Sequence, residues 1–223
     1  MSAPTRGVVF VTGTDTDVGK TVATAWLAWR AVAAGSSVAV YKPVQTGVDE
    51  HAPGDAELVA TLVPQARVST GVRLPEPLAP VRAASRAGIA LPPIDWHARR
   101  IATLATDHDV VLVEGAGGVR VELAGSATLL HLARLVPESD VIVVVRAGLG
   151  TLNHTTLTCD AIRAHGFGVA GVLIGSWPDD PDLAARCNAL DLPAAAGAPL
   201  TGALREGATR DLTTAFIPPE ELS

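Results

Sequence analysis

A doubly wound α/β fold on a mostly parallel sheet is what this sequence predicts, and three observations carry that expectation. Apolar, β-branched runs such as Val8-Val9-Phe10-Val11, Val110-Val111-Leu112-Val113 and 141–145 are of the kind buried on both faces of a parallel sheet. Segments of helical periodicity separate them, so strands and helices alternate along the chain. Much of the 48% apolar content is Ala and Val, which suits helices packed closely onto a sheet. With 223 residues the chain suits one domain, 1–223, large enough for a proper core.

Taken in order, 7–12 is the first strand. Gly13-Thr14-Asp15-Thr16-Asp17-Val18-Gly19-Lys20-Thr21 follows, and then a helical stripe of Val22, Ala25, Trp26, Trp29, Val32 and Ala33 closed by Gly35. Trp26 and Trp29 read as core. Ser37 to Lys42 is a second strand, which Pro43 is expected to stop. A polar loop then leads into a short helix at 55–62. Residues 64–93 hold Pro64, Pro75, Pro77, Pro80, Pro92 and Pro93, and read as a solvated excursion or a loop shaped over a site. Ile94 to Thr106 is helical, and 109–113 is a buried strand ending in Glu114-Gly115-Ala116-Gly117-Gly118. A helix at 127–135, a strand at 141–145, a helix at 152–165 and a strand at 168–174 come next. A loop at 175–178, a helix around 181–190, a weak strand at 192–196 and a short terminal helix complete the chain.

The bulk properties exclude several classes. A net charge of −6 gives no basic stripe for nucleic acid, so anionic ligands must be met by a local site. Cys159 and Cys187 lack the spacing of a zinc site and read as reduced core thiols. The opening MSAPTRG does not have the form of a signal peptide, and no apolar run reaches membrane-spanning length. A soluble, cytoplasmic protein is expected.

The stretch ending in Gly19-Lys20-Thr21 has the sequence form of a strand, a phosphate-cradling loop and a helix N-terminus. Backbone N–H groups there would bind phosphate oxygens, Lys20 would reach the outer phosphates, and the Thr21 hydroxyl would ligate Mg²⁺. The usual G-x-x-x-x-G-K-[ST] spacing puts Thr14 at the first glycine, with Gly13 one residue early. Ligands of such sheets bind beyond the carboxyl ends of the strands, where Lys42, Glu114, Arg146 to Gly150 and Gly175-Ser176 are expected. Asp55 fits both a helix N-cap and a cation ligand. Glu114, set beside three glycines that imply close backbone approach, reads as a ligand in preference to a solvated strand-end acid. With Thr21, these two acids make an oxygen set suited to one Mg²⁺. Lys42 reads as a charge clamp beside a triphosphate in preference to a lysine reaching solvent. The six histidines are scattered and read as surface or packing residues.

These residues resemble the dethiobiotin synthetases, within the wider group of P-loop ATPases with atypical phosphate loops. The resemblance rests on Gly13 to Thr21 (G-T-D-T-[DE]-V-G-K-T), Tyr41-Lys42-Pro43-Val44 with Thr46-Gly47, Asp55 and Glu76-Pro77-Leu78-Ala79-Pro80. Glu114 to Gly118 and Gly150-Thr151-Leu152-Asn153-His154 complete it, so that six motifs follow in order over nearly the whole chain. It implies a P-loop NTPase fold and a reaction in which 7,8-diaminopelargonate, CO₂ and ATP give dethiobiotin, ADP and phosphate. It implies that nucleotide and Mg²⁺ sit on Asp17, Val18, Gly19, Lys20, Thr21 and Val22, with Asp55, Glu114, Gly115, Ala116 and Gly117. By the same resemblance Lys42, Lys20 and Thr16 are catalytic, and Thr46 and Lys42 contact the substrate. A homodimer is implied, in which Gly150, Thr151, Leu152 and Asn153 of a partner subunit hold the substrate carboxylate.

Two departures fall where the base would be read. Gly175-Ser176 stand where relatives often carry Asn, and Gly197-Ala198-Pro199 match the second base-contacting stretch only loosely. Nucleoside triphosphates besides ATP are therefore expected to be accepted. The main alternative is an ATPase switch of the partitioning or metallochaperone type, but such switches use an additional lysine where Asp15 and Thr16 stand here. An amidating synthetase would need a glutaminase domain for which this chain has no room.

Overall fold

The computed structural model describes residues 6–49 and 51–222, so most of the segment weighed as a leader lies outside the described residues. The first half runs β1 (Gly7–Gly13), α1 (Lys20–Ala33), β2 (Val38–Thr46), α2 (Asp55–Leu62), β3 (Arg67–Leu74), α3 (Pro80–Ala87), α4 (Ile94–Asp107) and β4 (Val110–Gly118). The second runs β5 (Glu122–Ala124), β6 (Ala127–Thr128), α5 (Leu129–Ala133), β7 (Ser139–Val145), α6 (Thr151–Ala164), β8 (Gly171–Trp177), α7 (Leu183–Ala196), β9 (Leu200–Arg205) and β10 (Phe216–Ile217). Eight strands form one sheet in the order β10-β9-β8-β7-β1-β4-β2-β3, with β5 and β6 paired apart. Only β10 runs antiparallel within the large sheet.

From the central β1 the chain works outward to β3, returns to β4, and then builds the other half through β7, β8 and β9. The crevice beside β1, where direction reverses, is where ligands of such sheets bind. Successive residues of β1 feed opposite cores: Val8 and Phe10 join the layer of α3 to α7, Val9 and Val11 that of α1 and α2. That two-faced burial is why the strands read as unbroken apolar runs and not as alternations. Trp26 is core as expected, stacked on Phe216 at 4.5 Å between ring centroids. His97 is fully buried against Tyr41, whose hydroxyl lies 2.6 Å from its Nδ1. Burial, helped by Arg100, pushes the His97 pKa down to about 4, so it packs as a neutral ring.

Several expectations needed correction, each for a physical reason. Pro43 does not end β2: the last pairing with β4 is Tyr41 with Val113, and beyond it β2 pairs only with β3. A proline is tolerated where one side of a strand has no ladder partner. The proline-rich stretch holds the edge strand β3 and the helix α3, which begins with Pro80 at a position where a missing N–H costs nothing. The weak strand at 192–196 is the end of α7, where Ala185, Ala189, Leu192 and Ala196 keep helical spacing through Pro193. The strand itself lies at 200–205. The helix expected at 127–135 shrinks to α5 behind a short hairpin, and β8 extends through Trp177. Cys159 is buried as expected, but Cys187 is exposed. Among the described residues no helix is long and apolar enough to cross a membrane.

Candidate active site at the carboxyl edge of the sheet

The loop 14–19 leaves β1 and delivers Lys20 and Thr21 as the first two residues of α1. It is braced on both sides. Thr14 N donates to Val144 O at 3.0 Å, and Arg146 at the end of β7 pairs with Asp15 at 3.0 Å. Beneath the loop, Gly19 lies against Gly175 of β8. A methyl group added at Gly175 would fall 2.0 Å from Val18 O, and one at Gly19 would fall 2.5 Å from Gly175 O. Two bare backbones therefore let the loop sit on the sheet. The early glycine has its own reason: a methyl at Gly13 would meet Val18 at 2.7 Å and the Lys20 stem at 3.1 Å. Lys20 Nζ donates to Asp15 O at 2.7 Å, spanning the loop.

Beside the loop, residues of four elements form one network around a buried ammonium group. Lys42 of β2 places Nζ 2.5 Å from Asp55 Oδ2 at the start of α2 and 2.8 Å from Glu114 Oε1 on β4. It also donates to Gly115 O at 3.0 Å. The hydroxyl of Thr21, on α1, donates to the same Glu114 oxygen at 2.9 Å. Lys42 and Glu114 are only 4% and 1% exposed, while the Asp55 side chain is 33% exposed. Burial acts to lower the Lys42 pKa, but Glu114 and then Asp55 outweigh it and hold the pKa raised, so the ammonium stays charged. For Asp55 burial acts to raise the pKa, and Lys42 overrides it downward. Burial, and next the charge of Lys42, push Lys20 down.

These groups form the floor of a cavity of about 850 Å³. Its far wall is apolar, made by Val44, Val121 and the turn holding Pro77 and Leu78. That turn is tied to the end of β2 where Gly47 N donates to Glu76 O at 3.1 Å. The structure thus brings Thr16, Asp17, Gly19, Lys20, Thr21, Val22, Lys42, Thr46, Asp55, Glu114, Ala116 and Gly117 to one cavity. A smaller cavity of about 400 Å³ adjoins it, with Asp17, Val18, Arg146, Ser176 and Glu206 in its lining.

Other expected site residues lie elsewhere. Gly115 faces Leu129, which would lie 2.9 Å from an added methyl, so the close approach there is made by the protein itself. Gly175 serves as the seat of the loop. Gly197, Ala198 and Pro199 precede β9, which runs parallel to β8, and so lie at the amino edge of the sheet, away from the phosphate loop. The carboxyl end of β9 instead brings Glu206 to the smaller cavity. A strand at 192–196 would have put Gly197, Ala198 and Pro199 at its carboxyl end, but that segment is helical. Gly150, Thr151, Leu152 and Asn153 open α6 outside both cavities, with Asn153 exposed. Arg146 lies at this edge as expected, paired with Asp15 of the loop; sequence reasoning missed Gln45, which belongs to no phosphate-loop pattern.

The fold and its loop define a P-loop nucleotide-binding protein. Its sequence matches the AAA domain family over residues 7–208. It is 55% identical over 204 residues to the ATP-dependent dethiobiotin synthetase BioD of Streptomyces avermitilis, covering 90% of this chain and 84% of that one. It is 49% identical over 210 residues to the protein of the same name from Rhodococcus jostii, covering 94% and 90%. The chain belongs to the dethiobiotin synthetase family, and is an ATP-dependent ligase that forms dethiobiotin. Among solved structures, chloroplast FtsY from Physcomitrella patens superposes with a TM-score of 0.57 at 18% identity. That match spans 97% of this chain and 64% of the other. Cell division protein FtsY from Thermotoga maritima gives 0.55 at 20% identity, over all of this chain and 69% of its own. At such identities the likeness is one of fold alone.

Proposed function

We propose that this chain, acting as a single cytoplasmic domain, closes the ureido ring of dethiobiotin from 7,8-diaminopelargonate and CO₂ through a carbamate and a carbamic–phosphoric anhydride. One amine captures CO₂ and loses a proton. A carbamate oxygen then attacks the γ-phosphorus of ATP and ADP departs. The second amine attacks the carbamate carbon, and phosphate leaves with the bridging oxygen. No covalent enzyme intermediate is needed, so positioning and charge neutralisation carry the reaction.

The observation that supports this most is the convergence of Lys42, Asp55, Glu114 and Thr21 on the phosphate loop. The donor set fits Mg²⁺. It is all oxygen, two carboxylates and one hydroxyl. Magnesium characteristically takes one or two carboxylates together with substrate phosphates and water. Thr21, Asp55 and Glu114 would hold it, and when bound it would neutralise polyphosphate charge. Lys20 and the loop N–H groups take the β- and γ-phosphates, Lys42 balances the charge passing between carbamate and phosphoryl group, and Thr16 and Thr46 orient the reacting groups. The apolar wall of Val44, Pro77, Leu78 and Val121 suits the methylene chain of the substrate. The smaller cavity is the place for the base, where the expected Ser176 is kept and Glu206 takes the place of Gly197, Ala198 and Pro199.

A homodimer is part of the proposal. The start of α6 stands beside Leu149, 92% exposed, and α6 and α7 carry Leu157 and Leu190, 61% and 67% exposed. Exposed leucines on these two helices suit a partner subunit, whose substrate carboxylate the start of α6 would meet. Phosphate release followed continuously tests the overall reaction. It is expected to require both diaminopelargonate and bicarbonate, and to fall to background when either is left out. Release at an equal rate without the diamine would favour an ATPase switch.

A further inference from the structure

Asp55 is the more exposed of the two acids paired with Lys42, and it sits at the first position of a helix of 8 residues that follows a loop. Its backbone N–H is among those that a helix leaves without an internal partner. The residue before it, Gly54, has no side chain to supply a cap. The acceptor comes instead from another element. Gln45, three places beyond Lys42 on β2 and 7% exposed, accepts from Asp55 N through Oε1 at 2.9 Å. Its Nε2 donates to Thr46 O at 3.0 Å. An N–H on one side and a carbonyl on the other allow only one orientation of that amide. One buried side chain thus fastens the start of α2 to the end of β2.

Gly54 supplies an independent observation. Its backbone, at φ −110°, is an ordinary conformation for alanine. What a side chain would disturb is Gln45: an added methyl would lie 2.9 Å from Gln45 Cδ and 3.0 Å from its Oε1, so the carboxamide would have to shift. Glycine at this point keeps the carboxamide in place.

We infer that Gln45 is a positioning residue, which aims the Asp55 carboxylate toward Lys42 and Glu114 and so sets the affinity of the site for the divalent cation that accompanies the nucleotide. The inference rests on the reading of Asp55 as a cation ligand. Groups one step removed from a metal typically change its affinity 10- to 100-fold when lost.

The test is Mn²⁺ binding by electron paramagnetic resonance, on the full chain with a non-hydrolysable ATP analogue. Gln45→Leu is expected to weaken Mn²⁺ about tenfold. Gly54→Ala, which leaves Gln45 and Asp55 in place but crowds the amide, should shift affinity the same way. Gln45→Glu keeps an acceptor for Asp55 N but sets an oxygen against Thr46 O, and should bind between wild type and Gln45→Leu. The kcat of Gln45→Leu should recover to within about threefold of wild type at saturating cation, which a general loss of folding would not allow. Asp55→Asn separates the two claims. If it weakens Mn²⁺ while Gln45→Leu and Gly54→Ala bind as wild type, the role of Gln45 is wrong and the ligand reading stands. If Asp55→Asn binds Mn²⁺ as wild type, the ligand reading falls and the inference with it.

Discussion

Lys42→Ala is expected to lower kcat about a thousandfold while nucleotide affinity changes less than about threefold, since the charge it supplies is needed most where negative charge develops. The side chain is buried between two acids, 2.5 Å from Asp55 and 2.8 Å from Glu114, in a setting where a charge acts more strongly than in water. Its removal also leaves those acids without their countercharge, and breaking a buried pair of this kind costs about 3–5 kcal/mol of stability. The two effects separate in practice. Steady-state turnover with saturating substrates reads the first, and urea unfolding the second. Lys42→Met, which keeps the volume, should match alanine in turnover. Either variant turning over within about tenfold of wild type would remove Lys42 from the chemistry.

Gly175→Ala is expected to cost about a hundredfold in kcat/KM, though the residue is absent from the lining of both cavities. The added methyl would sit 2.0 Å from Val18 O and 3.0 Å from Gly19 Cα, both backbone atoms. A backbone cannot rotate out of the way as a flexible side chain can, so the loop must lift off β8. Lys20 and Thr21 follow that loop directly and would move with it. Fluorescent-nucleotide titration reads the displacement as lost affinity, and far-UV circular dichroism should stay as in wild type. Unchanged affinity would show that the loop does not depend on this seat.

Much of this was legible in the sequence because it is written in local patterns. Strands buried on both faces announce themselves as apolar runs, and α2 begins at Asp55 as the sequence reading expects. Lys42, Glu114 and the loop could be placed because each directly follows an apolar run, and a parallel sheet brings the carboxyl sides of those runs to one edge. What stayed hidden depends on partners far away in sequence. That β2 continues through Pro43 follows from where β4 leaves it, which no local window contains. The glycine at 115 signalled close approach, but only the fold shows that Leu129 makes it, and Gly175, read as part of a base-contacting loop, seats the phosphate loop against Val18. Pro193 masked the end of α7, and with it the strand that carries Glu206 to the smaller cavity. Gln45 carried no signal, because its value lies in one hydrogen bond to a residue ten places on.

The central claim is that a carbamate oxygen, not water, takes the γ-phosphoryl group at this edge of the sheet. With ¹⁸O-labelled CO₂, in a reaction quenched before the label exchanges with water, mass spectrometry of the released phosphate tests it directly. One labelled oxygen carried from CO₂ into each phosphate is the predicted result. Phosphate whose new oxygen comes from water would contradict it.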